Sequence, residues 1–211
     1  MTHHKIGIIG AGNMGSAFAK RFAAAGFPVA IAAGDIANAK IAADAAGSSA
    51  RAVEASEIGQ NADVVFLAVP YGAAVEALRS IGDLAGKVVV DITNPLTADM
   101  GSLVVGFDTS AAEEIQKAVP AASIVKGFNT VFAQKLSAPA GEDHTQVFLA
   151  SDNAASKELV SSIAQSARFE PVDAGPLSNA RQLEPLGLLN IYFGYAAGRG
   201  TSISPAWVSA G

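Results

Sequence analysis

The stretch Lys5–Gly15, KIGIIGAGNMG, decides the fold. Its first half, Lys5–Gly10, is a short β-branched run that ends in glycine, the pattern of a buried strand. Its second half, Gly10-Ala11-Gly12-Asn13-Met14-Gly15, satisfies G-x-G-x-x-G. It opens a helical pattern over Asn13–Ala25, with Met14, Phe18 and Phe22 on one face and a stop at Gly26. A strand, a glycine loop and a helix in this order form the context in which the pattern binds a dinucleotide. Each glycine has its own reason. Gly10 permits the tight turn, Gly12 lets the backbone approach a pyrophosphate, and Gly15 lets the helix pack on the strand. Free N–H groups at the helix start, aided by the helix dipole, supply the anion site.

Outward from this stretch, strands and helices alternate. Pro28–Ala33 reads as a strand and Ile36–Ala46 as an alanine-rich helix closed by Gly47. A weak strand at Ser49–Val53 and a short helix from Glu54 lead to the strand Asp63–Val69, which Pro70 ends. Gly72–Ile81 is the next helix, and Lys87–Ile92 is apolar enough for burial on both faces. A loop over Asn94–Asp108 precedes a helix at Thr109–Ala118 and a strand at Ser123–Phe128. Strand Thr145–Ala150, helix Asn153–Ala167, strand Phe169–Val172 and one long helix, Leu177–Gly198, complete the pattern before a tail to Gly211. The alternation predicts an α/β fold, Rossmann-like and doubly wound. Its sheet is mostly parallel, with extra C-terminal strands and a long apolar C-terminal helix.

No linker, composition break or fixed repeat divides the chain, so residues 1–211 read as a single NAD(P)-binding domain. Residues 1–95 form the dinucleotide-binding core, and 96–211 carry the acceptor site and a dimer helix. That final helix is apolar nearly all round, through Leu183, Leu186, Leu188, Leu189, Ile191, Tyr192, Phe193 and Tyr195. Such a helix is expected to be buried. The sheet would cover one side and a second subunit or flat ligand the other, with a plain core helix as the alternative.

Composition narrows the chemistry. Half of the 211 residues are hydrophobic and 16% are charged, which excludes a disordered chain. The absence of cysteine removes thiol nucleophiles, disulfides and thiolate metal sites. A net charge of −5 argues against nucleic-acid binding. No apolar run approaches the ~20 residues of a membrane span. The apolar strand begins within five residues of Met1, which predicts no signal peptide and a cytoplasmic protein.

The second half of the fingerprint is an acid about 20 residues beyond the glycines. Asp35 stands there, after Gly34, where its carboxylate can take the adenine ribose hydroxyls and repel a 2′-phosphate. This favours NAD(H). The alternative is that Asp35 caps the following helix while Gly34 and the backbone form the pocket, which leaves the 2′-phosphate question open. Ligands lie beyond the carboxyl ends of the strands, here Ala68-Val69-Pro70-Tyr71, Thr93-Asn94-Pro95-Leu96 and Gly127–Phe132. These segments offer amides, hydroxyls and apolar walls but little acid–base chemistry. Asp91 lies within a strand, His144 in a polar turn, and Tyr71 is the best proton donor, although packing is its plainer role. Nothing resembles a metal site. Hydride transfer to a partner with its own electron chemistry, such as a flavin-type ring, fits that poverty.

Ile6–Phe18 is similar to the opening of pyrroline-5-carboxylate reductases. Three further blocks discriminate more: Asp91–Leu96 (DITNPL), Lys126–Ala133 (KGFNTVFA) and Asp173–Arg181 (DAGPLSNAR). Together they resemble the NADPH-dependent reductases of the deazaflavin coenzyme F-420, and also the cytoplasmic reductase domain of six-transmembrane metalloreductases. The resemblance implies a Rossmann-like homodimer that exchanges a hydride between NADP(H) or NAD(H) and a flat ring, coenzyme F-420 or a flavin. It implies that Ala11, Gly12, Asn13 and Met14 form the pyrophosphate loop, with Val69 and Pro70 beside the ribose and nicotinamide. Asn94, Pro95, Asn129, Thr130, Val131 and Ala133 then form the floor where two rings meet, with Asn94, Asn129 and Thr130 positioning them. Family members that read NADP carry Ser/Thr-Arg where this chain has Gly34-Asp35, and the bases available for an anionic acceptor are Lys126, Lys135 and Arg181. Reduction of a small imine or carbonyl is one alternative function, and non-catalytic NAD(P) sensing is another.

Overall fold

The computed structural model describes residues 4–138 and 145–208, so the turn expected around His144 lies outside the described residues. Six parallel strands form the main sheet in the order β3-β2-β1-β4-β5-β6. They are β1 (Ile6–Ile9), β2 (Val29–Ala32), β3 (Ala50–Ala52), β4 (Val64–Leu67), β5 (Val88–Asp91) and β6 (Ser123–Lys126). Ile8 of β1 stands between Ile31 and Phe66 in register, and every residue of β1 is buried. The strand order reverses between β1 and β4, which opens a crevice beyond their carboxyl ends.

Alternation along the strands sends successive side chains into two cores. On one face, α1 (Asn13–Ala24) and α2 (Ile36–Ala46) cover Ile6, Ile8, Val64 and Phe66. Phe18 and Phe22 of α1 meet Phe66 there, with ring centroids 5.1 and 4.7 Å away. Phe128 closes on Phe18 at 5.2 Å. On the other face, α3 (Ala55–Asn61), α4 (Ala74–Ser80) and α5 (Ala111–Ala118) bury Ile58, Leu78 and Ile115 against Leu67 and Val89. Local caps start the helices. Asp35 Oδ1 accepts the Ala37 N–H at the head of α2, and Ser110 Oγ accepts the Glu113 N–H at the head of α5.

The C-terminal third departs from simple winding. A short helix unforeseen from the sequence, α6 (Ala133–Ser137), packs on α1. Strands β7 (Gln146–Leu149) and β8 (Glu170–Asp173) flank α7 (Ala154–Ser166) and pair with each other in parallel. Two hydrogen bonds between Lys126 and Ala150 tie this small sheet antiparallel to the end of β6.

The single helix expected over Leu177–Gly198 is present from Leu177 to Ala196, but its winding changes along its length. A 3₁₀ turn at Leu177–Asn179 leads into α8 (Ala180–Ile191), and a π-turn follows over Tyr192–Ala196. A Cβ at Gly194 would lie 2.6 Å from the Phe132 ring. This close approach seats the widened turn against the chain after β6. Burial of α8 is also narrower than its composition suggests. Leu183, Glu184, Gly187 and Asn190 face inward, whereas Leu189, Tyr192 and Tyr195 are 48%, 55% and 60% exposed. The inward stripe holds two polar residues, and much of the apolar surface faces outward.

Candidate active site

The glycine loop has the geometry its spacing implies. Gly10 adopts φ +106°, and a Cβ there would sit 2.2 Å from the Ala68 carbonyl at the end of β4. A Cβ at Gly15 would sit 1.9 Å from the Gly10 carbonyl, so only glycine lets α1 descend onto β1. Gly12 differs: a Cβ would meet nothing within 4 Å. It caps α1 without a side-chain hydrogen bond, and no acid stands in the first turn. The helix start thus presents its N–H groups to open space, where an anion gains most from them.

Two cavities flank this loop. One, of about 390 Å³, lies beyond β1 and β2 and is lined by Gly10, Gly34, Glu54, Val69, Glu76 and Ser80, among others. The other, of about 270 Å³, lies between the start of α1, the ends of β5 and β6, and α8. Asn13, Met14, Asn94, Asn129, Thr130, Val131 and Ala133 all line it. Asn13 and Met14 of the glycine loop thus share a cavity with Asn94, Asn129, Thr130, Val131 and Ala133, whereas Ala11, Gly12 and Pro95 do not line it. Ala68 contributes its carbonyl contact with Gly10, and Pro70 leads the short 3₁₀ turn before α4. Pro95 is buried behind the floor and accepts the Val104 N–H through its carbonyl.

Phe128 builds the floor. Its φ of +60° turns the chain sharply after β6, a conformation that costs a bulky residue of order 1–3 kcal/mol and persists where packing enforces it. Beyond this turn, Asn129 donates from Nδ2 to Asn94 Oδ1 at 3.0 Å and to the Leu183 carbonyl at 2.7 Å. Asn94 Nδ2 donates in return to the Asn129 carbonyl at 2.8 Å. Asn190 of α8 donates to the Thr130 carbonyl at 3.1 Å. Gly187 permits this arrangement, since a Cβ there would lie 2.5 Å from Asn94 Oδ1. Among the described residues, Thr93 Oγ1 is buried without a protein partner outside the cavity lining, and the network leaves Asn129 Oδ1 and Thr130 Oγ1 unpartnered as well. Buried polar atoms left unpaired are costly, and the latter two belong to residues that line the cavity.

Beneath the floor lies an ionic cluster that sequence reading missed. Lys126 Nζ lies 2.9 Å from Asp91 Oδ2 and 2.9 Å from Glu184 Oε1, with all three side chains buried. It also donates to the Thr93 carbonyl. Glu184 accepts the Ala111 and Ala112 N–H groups at 3.0 and 3.3 Å, which joins α8 to the head of α5. Burial opposes the Lys126 charge, but the two carboxylates more than offset it and hold the pKa above its ordinary value. Burial pushes the Glu184 carboxyl up, against the pull of Lys126 and the Ala111 N–H.

Lys126 was expected among the bases facing an acceptor, and it is instead wholly internal. Arg181 is committed to both carboxylate oxygens of Glu113, at 2.7 and 2.9 Å. Tyr71, the expected proton donor, donates its hydroxyl to Glu114 and does not line the floor cavity. Burial first, then Glu114, raises its pKa further from neutrality. Tyr195, one of the helix residues expected to meet the sheet, a second subunit or a flat ligand, lines that cavity.

Among the described residues there is no group of three His, Cys, Asp or Glu placed to hold a metal, and no helix long and apolar enough to cross a membrane.

The family model for NADP oxidoreductase, coenzyme F420-dependent, matches residues 5–95. The F420-dependent NADP reductase of Methanothermobacter thermautotrophicus is 30% identical over 198 residues, covering 86% of this chain and 85% of that protein. Metalloreductase STEAP3 of Rattus norvegicus is 33% identical over 188 residues; the match takes in 88% of this chain but only 37% of the metalloreductase. A solved chain from Arthrobacter sp. FB24, provisionally named an F420-dependent NADP-reductase, superposes with a TM-score of 0.80 at 28% identity, over 94% of this chain and 96% of that one. On the glycine loop and on a likeness that runs the length of both reductases, the chain belongs to the F420-dependent family of NADP oxidoreductases.

Proposed function

We propose that the chain transfers a hydride between a nicotinamide dinucleotide and a flat acceptor ring of the deazaflavin or flavin type. The observation that carries this reading is the pair of buried, unpartnered atoms at the floor, Asn129 Oδ1 and Thr130 Oγ1. They lie at the far side of the glycine loop from the adenosine cavity, where a nicotinamide carboxamide offers both donors and an acceptor. The open approach to Gly12 and the uncapped α1 fit the pyrophosphate between them.

When bound, the coenzyme supplies two electrons and a proton as one hydride. The chain's own residues have other work. Asn94 and Asn129 lock each other and Asn190 holds the Thr130 carbonyl, so the donors and acceptors that meet a ring are set before it arrives. Met100, Ile191 and Phe132 wall the cavity with apolar surface that keeps water from the reacting faces. Beyond this wall the exposed stripe of Leu189, Tyr192 and Tyr195 supports a second subunit covering α8. Mixing the protein anaerobically with reduced coenzyme and a deazaflavin or free flavin tests the reading. Rapid oxidation of the coenzyme is expected, and no turnover with any flat acceptor would overturn it.

A second reading, reduction of a small imine or carbonyl, rests on Tyr195, whose phenol lines the same cavity and could give the required proton.

A further inference from the structure

We infer that this chain takes the non-phosphorylated coenzyme, NADH, in preference to NADPH. The inference rests on the dinucleotide reading above and concerns only the adenosine end of that site. There the cavity beyond β1 and β2 is rimmed by Glu54 at the head of α3 and Glu76 in the first turn of α4. Among the described residues no lysine, arginine or histidine lines it. Asp35 stands next to its Gly34 rim, at the head of α2.

Two of these carboxylates line the cavity, and that of Asp35 adjoins it through Gly34. A phosphomonoester carries about −1.5 to −2 charge at neutral pH, so a 2′-phosphate placed here would meet acids and find no cation to pair with. The bases nearby in sequence do not alter this. Arg51 is paired with Glu57, and Lys40 and Arg79 are absent from the lining. A ribose bearing free 2′- and 3′-hydroxyls, by contrast, needs acceptors. Asp35 spends one oxygen on the Ala37 N–H at 2.8 Å, which fixes the carboxylate in place. A carboxylate can accept about four hydrogen bonds, so the cap leaves capacity for the ribose. Capping and ribose binding, opposed readings of the sequence, are compatible in the folded chain.

Gly34 makes the preference reversible. Its φ lies outside the left-handed region, and a Cβ there would meet nothing within 4 Å. An arginine at this position would enter the same rim without displacing any neighbour. Its guanidinium would supply the cation that a 2′-phosphate lacks.

Calorimetric titration of the full chain with NADH and with NADPH tests the inference. NADH is expected to bind at least about tenfold tighter, equivalent to about 1.4 kcal/mol. Gly34→Arg should tighten NADPH by about tenfold and so narrow or reverse its gap to NADH. Asp35→Asn preserves a capping side chain while removing the charge, and should narrow the gap from the same side. Wild-type protein that binds NADPH as tightly as NADH would overturn this inference and leave the dinucleotide reading intact. Failure of both coenzymes to bind at millimolar concentration would overturn this inference and the dinucleotide reading together.

Discussion

Lys126 of β6 and Glu184 of α8, 58 residues apart, form a 2.9 Å ion pair with both side chains buried, and Asp91 completes the cluster from β5. Charges sealed from water tolerate one another only while compensated. Lys126→Met would leave two buried carboxylates facing each other and is expected to cost about 3–5 kcal/mol in urea unfolding. Adding Asp91→Asn and Glu184→Gln to that variant should restore most of the loss, because neutral partners no longer repel. A loss below about 1 kcal/mol for Lys126→Met would mean that the cluster carries no net weight.

The pair between Arg181 and Glu113 has a pH signature of its own. The Arg181 hydrogen bond, against the opposing effect of burial, holds the Glu113 carboxyl below its ordinary pKa. A depressed carboxyl contributes stability that is fully present above the unfolded value, about 4.3, and lost as pH falls through the folded one. Wild type should therefore melt above Arg181→Met at pH 6–7, with the gap closing below about pH 4. Melting curves across that range that stay parallel would refute the assignment.

Gly12 and Gly15 separate binding from folding. Gly12→Ala adds a methyl where no protein atom lies within 4 Å and φ is an ordinary −74°. The melting temperature should hold while coenzyme affinity falls by about tenfold or more, since the methyl stands where the pyrophosphate must approach. Gly15→Ala collides with the Gly10 carbonyl and should lower both. Unchanged affinity in Gly12→Ala would place the pyrophosphate elsewhere.

Tyr195→Phe decides between the two acceptor classes. Transfer between two rings needs no phenol, so flavin or deazaflavin reduction should stay within about twofold, which is far from the ~10²-fold or greater loss of a general acid. A kcat loss of that larger size on an imine substrate would favour the second reading.

Much of the fold was legible because its signals are local. Glycine loops, β-branched runs and capping residues act over a few positions, and β1, α1, β2 and α2 fall within a residue or two of their expected bounds. The conformation of the glycine loop was legible for the same reason. The ionic cluster was not: Asp91, Lys126 and Glu184 meet only through tertiary packing, and nothing within a few residues of Lys126 announces that its charge turns inward. The widening of the helix after Ile191 was hidden likewise, since Gly194 there meets the ring of Phe132 from another segment.

The same cluster bears on how the chain can be divided. Residues 5–95, matched by the family model, contain Asp91 but neither Lys126 nor Glu184. Cut after residue 95, the nucleotide half would expose the free edge of β5 and carry there a carboxylate whose counter-ions were left behind. Shortening the chain at residue 138 would keep Lys126 yet strip Glu184 and the Ala150 strand that pins the end of β6. Residues 5–95 and the segment after them are thus indivisible in folding, and recombining halves from two such reductases would succeed only if both carboxylates and the lysine travel together.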